Sequence, residues 1–315
     1  MSASATDQAA GPKAARPHKR RNRMKVSQQR WGMFFAAAAV IGFFVFTLLP
    51  MVASAVIGLT NWTIGTTPRF IGLDNFRAIA VDPLFWKSFR VTTTYAVFAV
   101  PGGLLVAFVT ASMLNRVNRT RGFFRTVYYL PVLVPPVASA VIWLWIFNPD
   151  SGLLNAVLSA LHLPTLLWVY GESTAVPSIA LMTIWGFGNM TLIFLAALQG
   201  VSRDLYEAAE CDGANPLRRM WHVTVPSISP VILFNLVTGM IAAFQIFDAA
   251  YVMTQGGPNN ATLFYVYYLY RKAFTEAQLG YASALAWILF VVIVLITIVI
   301  LRTSRGWVFY EGERR

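Results

Sequence analysis

The chain has 315 residues, of which 57% are hydrophobic and 12% are charged, with a formal net charge of +12. A soluble globular chain carries roughly 25% charged residues, so composition excludes a protein that is water-soluble throughout. The positive balance does not indicate nucleic acid: eight of the 25 Lys and Arg fall in the first 30 residues and most others flank apolar runs, which is the distribution of a membrane protein.

In chain order, residues 1–30 are rich in Ala, Lys and Arg without an apolar period and are expected to be a disordered, basic, cytoplasmic segment. Its cluster His18-Lys19-Arg20-Arg21-Asn22-Arg23 lies beside a span, where attraction to anionic membrane lipids and topology setting are the expected roles. Six stretches reach the ~20 apolar residues needed to cross the hydrocarbon core. They lie near 33–58, 91–114, 126–147, 176–200, 229–252 and 277–301, and the fifth alone carries an acidic or basic residue, Asp248. The first is preceded by a basic region and contains Ala53-Ser54-Ala55, as a cleaved signal would, but its apolar run is too long for one. It is expected to be a retained helix kinked at Pro50. Gly103, Ala107 and Ala111 give the second span a small-xxx-small face for helix packing. Trp62, Trp143 and Trp145 suit the membrane interface.

Placing both termini in the cytoplasm gives the inner segments 1–30, 115–125, 201–228 and 302–315 eight, four, three and four Lys or Arg, against six outside. The positive-inside rule therefore predicts a multi-pass plasma (inner) membrane protein with both ends and the 201–228 segment cytoplasmic.

That segment is the most informative part of the chain. Leu205, Ala208, Ala209 and Asp212 share one helix face at i, i+3, i+4 and i+7. Ser202 is an N-cap, and Gly213 sits where the helix must turn, since glycine alone takes positive φ without steric cost. Asn215-Pro216 starts a second short helix as cap and first residue, which Pro226 closes. Two small residues at the centre of the exposed face allow another surface to approach closely, and the face lacks the bulky anchors of an amphipathic helix lying on lipid.

Glu207-Ala208-Ala209, three residues, Gly213, nine residues and then Val223-Thr224-Val225-Pro226 resemble the cytoplasmic EAA loop of bacterial ABC importer permeases, EAA-x3-G-x9-I-x-L-P, with Val223 and Val225 in place of Ile and Leu. Glu207 to Ala214, EAA-x-x-DGA, is most similar to the sugar-importing permeases. Phe70-Ile71-Gly72-Leu73-Asp74-Asn75-Phe76, Leu195-Ala196-Ala197-Leu198-Gln199, Phe244-Gln245-Ile246-Phe247-Asp248 and Thr254-Gln255-Gly256-Gly257-Pro258 look like further family segments, the last resembling the maltose-type, sugar-contacting subunit. This chain lacks that relative's extra N-terminal spans and large exterior domain. The resemblance implies an all-α integral membrane fold, an ABC type I importer permease of six transmembrane helices over 31–305, with a coupling hairpin at 202–226 and a cytoplasmic tail at 306–315. It also implies partners: a second homologous permease, two ABC ATPase subunits that dock on Glu207, Ala208, Ala209, Asp212 and Gly213, and an exterior substrate-binding (lipo)protein.

Polar groups within a span must face protein or water. The fourth span offers Trp185 and Asn189, and the fifth Asn235, Thr238, Gln245 and Asp248. Thr238, Gln245 and Asp248 nearly share a helix face. Amides, a carboxylate and an aromatic plane suit a carbohydrate, and the resemblance places Trp185, Gly186, Asn189, Thr238 and Gln245 where the maltose-type subunit contacts its sugar. Asp248 joins them as a candidate that equally fits a helix-positioning role. Read without the resemblance, the same groups hydrogen-bond between helices. No Lys or Arg lies in the fourth or fifth span, which disfavours an anionic substrate.

The expected function is the permease subunit of an ATP-driven, binding-protein-dependent importer for a sugar or oligosaccharide. The alternatives are a glycerol-phosphate or phosphodiester importer and, from a different class, an ion-coupled secondary transporter acting through Asp248. The five lysines follow Pro12, His18, Met24, Trp86 and Arg271, so there is no phosphate-binding Gly-Lys pair. No catalytic residue, cofactor or metal is expected on this chain, and ATP and Mg belong to the partner ATPases. Cys211 is alone and His18, His162 and His222 are scattered, which excludes an intrachain disulfide and a ligand cluster. No nucleic acid is expected.

Overall fold

A computed structural model describes residues 20–116 and 121–309. It divides into two compact units, Met1–Ser54 and Ala55–Arg315. The described residues open with α1 (Arg20–Phe43), which passes through a π-turn at Phe44–Leu48 into α2 (Leu49–Gly58), whose last four residues are counted with the second unit. Residues 20–30 thus belong to a helix instead of the disordered segment expected there; the Arg, Lys, Met and Gln of that stretch are strong helix formers that extend the apolar helix behind them. The rest of that segment, 1–19, and the end of the tail lie outside the described residues. The π-turn precedes Pro50 and gives the wide turn that relieves the clash of its ring with the carbonyl four residues earlier.

The second unit continues with α3 (Asp74–Val81), α4 (Pro83–Arg116), α5 (Arg121–Tyr129), α6 (Pro136–Ile146), α7 (Leu153–Ala160), α8 (Ala175–Trp185), α9 (Gly188–Gly200), α10 (Arg203–Cys211), α11 (Pro216–Arg219), α12 (Val225–Ser227), α13 (Ser229–Phe244), α14 (Tyr265–Tyr270) and α15 (Leu279–Ser304). Among the described residues there is no strand, only an isolated bridge between Thr60 and Phe70. Three helices are long and apolar enough to cross a membrane: Trp31–Gly58, Pro83–Arg116 and Leu279–Ser304. Three more spans arise if each bent pair counts as one: Gly122–Leu133 with Pro136–Ile146 at 99°, Ala175–Trp185 with Gly188–Gly200 at 49°, and Pro216–Ser227 with Ser229–Phe244 at 68°.

Helix α4 is the central post, packed against α8, α9, α13 and α14. Ala107 and Ala111 are fully buried on its small-residue face. They let α9 approach closely enough for Phe194 to meet Phe108 edge-on at 6.0 Å. The fifth expected helix, 229–252, is interrupted: α13 ends at Phe244, and the chain resumes helical structure at Asp248, which leads into a π-turn at Ala250–Thr254.

At the end of the bundle opposite α10 and α11, which we call the far end, Asp82 ties three elements together. Its Oδ2 accepts hydrogen bonds from the hydroxyls of Tyr268 and, at 2.7 Å, Tyr281, and its Oδ1 accepts the Leu84 N–H at 2.8 Å. Lys272 lies over the Tyr268 and Tyr281 rings at 5.6 and 5.1 Å. Burial pushes the Asp82 carboxyl up, but the tyrosine and backbone donors outweigh it and hold it below the ordinary carboxylate range. Burial, and then the carboxylate it donates to, push the Tyr268 phenol up. Since the Asp82 pKa is depressed on folding, its contribution is complete above the unfolded value of about 3.9 and is lost as pH falls through the lower folded value. Asp82→Asn is expected to cost about 1–2 kcal/mol, a charged hydrogen-bond acceptor discounted for partial exposure. Thermal unfolding of both proteins from pH 7 down to pH 3 checks this: the wild type loses its advantage in acid.

Candidate functional site

In the middle of the bundle, three interruptions of helical structure face one cavity of about 550 Å³. The first is the break between α5 and α6, where Pro131, Val134 and Pro136 line the wall. Prolines there lack the N–H that would continue a helix. The second is the junction of α8 and α9 at Trp185, Gly186 and Phe187. Its geometry depends on Gly188, because a Cβ at that position would lie 2.3 Å from the Tyr128 carbonyl oxygen. The third is the end of α13, where Gln245 caps the helix, Ile246 and Phe247 follow outside any helix, and Asp248 begins the next helical turn. Non-helical backbone at membrane depth is tolerated only where it is buried in protein or lines a cavity, so three such breaks converging on one space make it the candidate functional centre.

Of the six residues singled out for substrate contact, Trp185, Gly186, Asn189, Gln245 and Asp248 line this cavity. Thr238 does not. Its hydroxyl donates within its own helix, to the Phe234 carbonyl at 2.8 Å and the Asn235 carbonyl at 3.3 Å. The expected common face of Thr238, Gln245 and Asp248 required an unbroken helix, and α13 stops between them. Gly239 and Ala242 present the wall instead. Asp248 makes no ion pair or hydrogen bond among the described residues, and no Lys or Arg lines the cavity.

The structure adds side chains that the sequence did not single out. Tyr95, from α4, donates its hydroxyl to Thr183 Oγ1 at 2.9 Å, and both line the wall. A lone polar residue within an apolar run carries no local signal of its partner 88 positions away. Trp143 is 92% buried instead of at the membrane interface, because Ala140, Trp143 and Phe147 form the buried face of α6 and its end. Its ring meets Trp185 edge-on at 5.8 Å and Phe147 at 5.0 Å, and Phe147 stacks on Trp168 at 5.4 Å. Trp168 Nε1 donates to Asn155 Oδ1 at 2.8 Å. Trp185, 39% exposed at the cavity, is therefore the free end of a braced aromatic series whose other end is fixed by a buried amide.

The second region lies at the opposite end of α4. Ser202 caps α10 by accepting the Asp204 N–H at 3.2 Å, and Asn215 caps α11 by accepting the Arg218 N–H at 2.8 Å. Between them Gly213 has φ +71°. Its N–H bonds the Glu210 carbonyl and the Ala214 N–H bonds the Ala209 carbonyl, both at 2.9 Å, the paired bonds of a Schellman stop. The two arms are braced by the Arg219–Glu210 ion pair and by Tyr206 Oη to Thr224 Oγ1 at 3.0 Å. Glu207, Ala208, Asp212 and Gly213 are exposed and Ala209 is half-buried. Below the arms, between them and α4, lies a cavity of about 650 Å³.

Residues 99–307 match the family of binding-protein-dependent transport system inner membrane components. Among curated relatives, the chain is 39% identical over 287 residues to a probable ABC transporter permease, YesP, of Bacillus subtilis, covering 90% of this chain and 93% of that one. It is 34% identical to the sulfoquinovosyl glycerol transport system permease SmoG of Agrobacterium fabrum, over 77% and 79% of the two chains. It is also 34% identical to the sn-glycerol-3-phosphate transport system permease UgpA of Escherichia coli O157:H7, over 78% and 84%. Among solved structures, a chain of a bacterial ABC transporter involved in the import of the acidic polysaccharide alginate superposes with a TM-score of 0.76 at 23% identity, covering 90% of this chain and 99% of that one. A chain of a bacterial alginate ABC transporter in complex with an alginate pentasaccharide-bound periplasmic protein superposes with a TM-score of 0.78 at 22% identity, over 92% and 98% of the two chains. The shared fold is the helical permease fold of ABC importers.

Proposed function

Because the chain belongs to the family of binding-protein-dependent transport system inner membrane components, we propose that it is one of two homologous permeases enclosing the membrane pathway of an ATP-driven importer for a sugar or oligosaccharide. The observation that carries the substrate class is the composition of the central cavity. Trp185 offers an aromatic plane, Asn189 and Gln245 offer amides, Asp248 is the charged group among the described lining residues, and no basic side chain is present. Such a wall suits a hydroxyl-rich, uncharged ligand. It suits glycerol phosphate less well, although a relative carries that name, since no Lys or Arg stands among the described residues lining the cavity to meet a phosphate.

Six spans, made of three continuous helices and three bent pairs, would place α10, α11 and both termini in the cytoplasm, in keeping with the excess of Lys and Arg in those segments. Two ATPase subunits, carrying ATP and Mg, would dock on the hairpins of the two permeases. Here Glu207, Ala208, Asp212 and Gly213 are exposed and the half-buried Ala209 lies among them, and Glu207 would pair with a basic group on the ATPase. An exterior binding protein would deliver substrate at the far end. ATP-driven closure of the ATPases would press on the hairpins, and the helix halves would rock about the cavity to expose it alternately on the two sides. No step of the chemistry falls on this chain. The ion-coupled alternative gains nothing from the family to which the chain belongs.

Purification of the tagged chain in mild detergent, with partners identified by mass spectrometry, tests the assembly. The expected companions are a P-loop ATPase and a second EAA-bearing permease. A chain recovered alone that still transports after reconstitution overturns the reading.

A further inference from the structure

The turn that follows Gln245 does more than close the cavity. Phe247 lines the cavity wall and is also the first of a row of rings leading away from it. It stacks on Tyr251 at 5.3 Å and 19° and meets Tyr270 at 5.2 Å. Tyr270 in turn meets Tyr251 edge-on at 5.4 Å and Phe274 at 5.1 Å. The row opens outward: Tyr251 is 45% exposed and Phe274 is 66% exposed. Beneath it the buried ring of Tyr267 supports Tyr251 at 6.4 Å.

Both exposed rings sit in π-turns, Tyr251 in Ala250–Thr254 and Phe274 in Arg271–Thr275. A π-turn inserts an extra residue into a helical turn, redirects the side chains around it and recurs at functional positions. Two of them bring aromatic rings into one exposed cluster, which Phe247 joins to the cavity.

Resting on the carbohydrate reading above, the geometry points to an outer subsite in which Tyr251, Tyr270 and Phe274 take the apolar faces of successive sugar rings, so that the natural substrate is an oligosaccharide or extended glycoside. Tyrosine hydroxyls lie beside the ring faces, as a ligand with alternating apolar faces and hydroxyl edges requires. The neighbouring cations are already engaged: Lys272 pairs with Glu276 at 2.6 Å, and Arg271 lies 3.9 Å from the same carboxylate. The strip therefore offers little to a lipid phosphate. Its inner end opens beside Gln245 and Asp248, which puts the first sugar in the cavity while later sugars lie along the rings.

The test uses the reconstituted transporter with its ATPase and binding protein, and radiolabelled malto-, cello- and xylo-oligosaccharides of one to five units as probes. For any series carried, the Tyr251→Ala/Phe274→Ala double variant is expected to lower the ratio of trisaccharide to monosaccharide uptake about tenfold. Tyr251→Phe/Phe274→Tyr, which keeps the rings, should restore it. Gln245→Ala should lower uptake at every length and leave the ratio unchanged. A double variant that lowers all lengths equally, or none, overturns the subsite and returns these rings to packing or to the membrane interface. So does an unaltered transporter confined to single sugars. If the unaltered transporter carries no member of any series, the carbohydrate reading itself fails, and the subsite with it.

Discussion

Gly213→Pro is expected to abolish ATP-driven uptake, lowering it at least a hundredfold, while the protein still inserts, folds and assembles. Proline fixes φ near −65° and has no N–H. Gly213 is held at φ +71° and donates its N–H to the Glu210 carbonyl. Both requirements of the turn fail together, and the angle between α10 and α11 is lost. The site is exposed, and a Cβ there would meet nothing within 4 Å, so the damage stays local. Gly213→Ala separates the two terms: it keeps the N–H and is penalised only by the left-handed backbone, about 1–2 kcal/mol, and should retain partial uptake. The measurement is sugar uptake into proteoliposomes beside ATP hydrolysis by the same complexes. Hydrolysis should persist without transport. Normal uptake by the proline variant would show that the hairpin does not couple.

Gln245→Ala should raise the sugar concentration giving half-maximal stimulation of ATP hydrolysis about tenfold. Loss of one substrate hydrogen bond is worth about 1 kcal/mol or somewhat more, and about 1.4 kcal/mol is tenfold. Gln245 caps α13 through its backbone, its N–H bonding the Ala242 carbonyl at 3.1 Å, so the substitution removes the amide and leaves the helix end in place. Thr238→Ala is the internal comparison. Its hydroxyl is satisfied within α13 and its loss should leave the response unchanged. A Gln245 variant with an unaltered response would remove this residue from the substrate wall.

The two regions differ in how far they could be read from residues alone. The stop at Gly213 and the caps Ser202 and Asn215 are local, set by side chains reaching two or three positions along the chain, and local chemistry is legible. The breaks at 131–136 and 186–188 carry prolines and glycines that announce them. The break at Gln245 carries neither. Phe244 to Ala250 reads as ordinary helix, and the chain leaves the helix there because of what surrounds it. That is why Thr238 was grouped with Gln245 and the structure separates them. Asp82 was illegible for the same reason: its tyrosine partners are 186 and 199 positions away, and in the sequence it is an isolated acid before a proline. Trp143 was misplaced because tryptophans near the end of an apolar run suit the membrane boundary on average, whereas the buried face of α6 decides this one.

The convergence of three interruptions on one cavity bears on how fast such a protein can change state. A continuous helix can tilt one half against the other only by breaking backbone hydrogen bonds in a medium that offers no replacement. At 131–136, 186–188 and 245–247 that ladder is already open at rest, and the freed positions border a space able to hold water. The halves on either side can swing as separate shutters about these points without passing through a state that has new unpaired backbone groups. On the proposed mechanism the joints that shape the cavity would also be the hinges of its two doors, and mending one of them with a run of alanines would be expected to slow the opening of both.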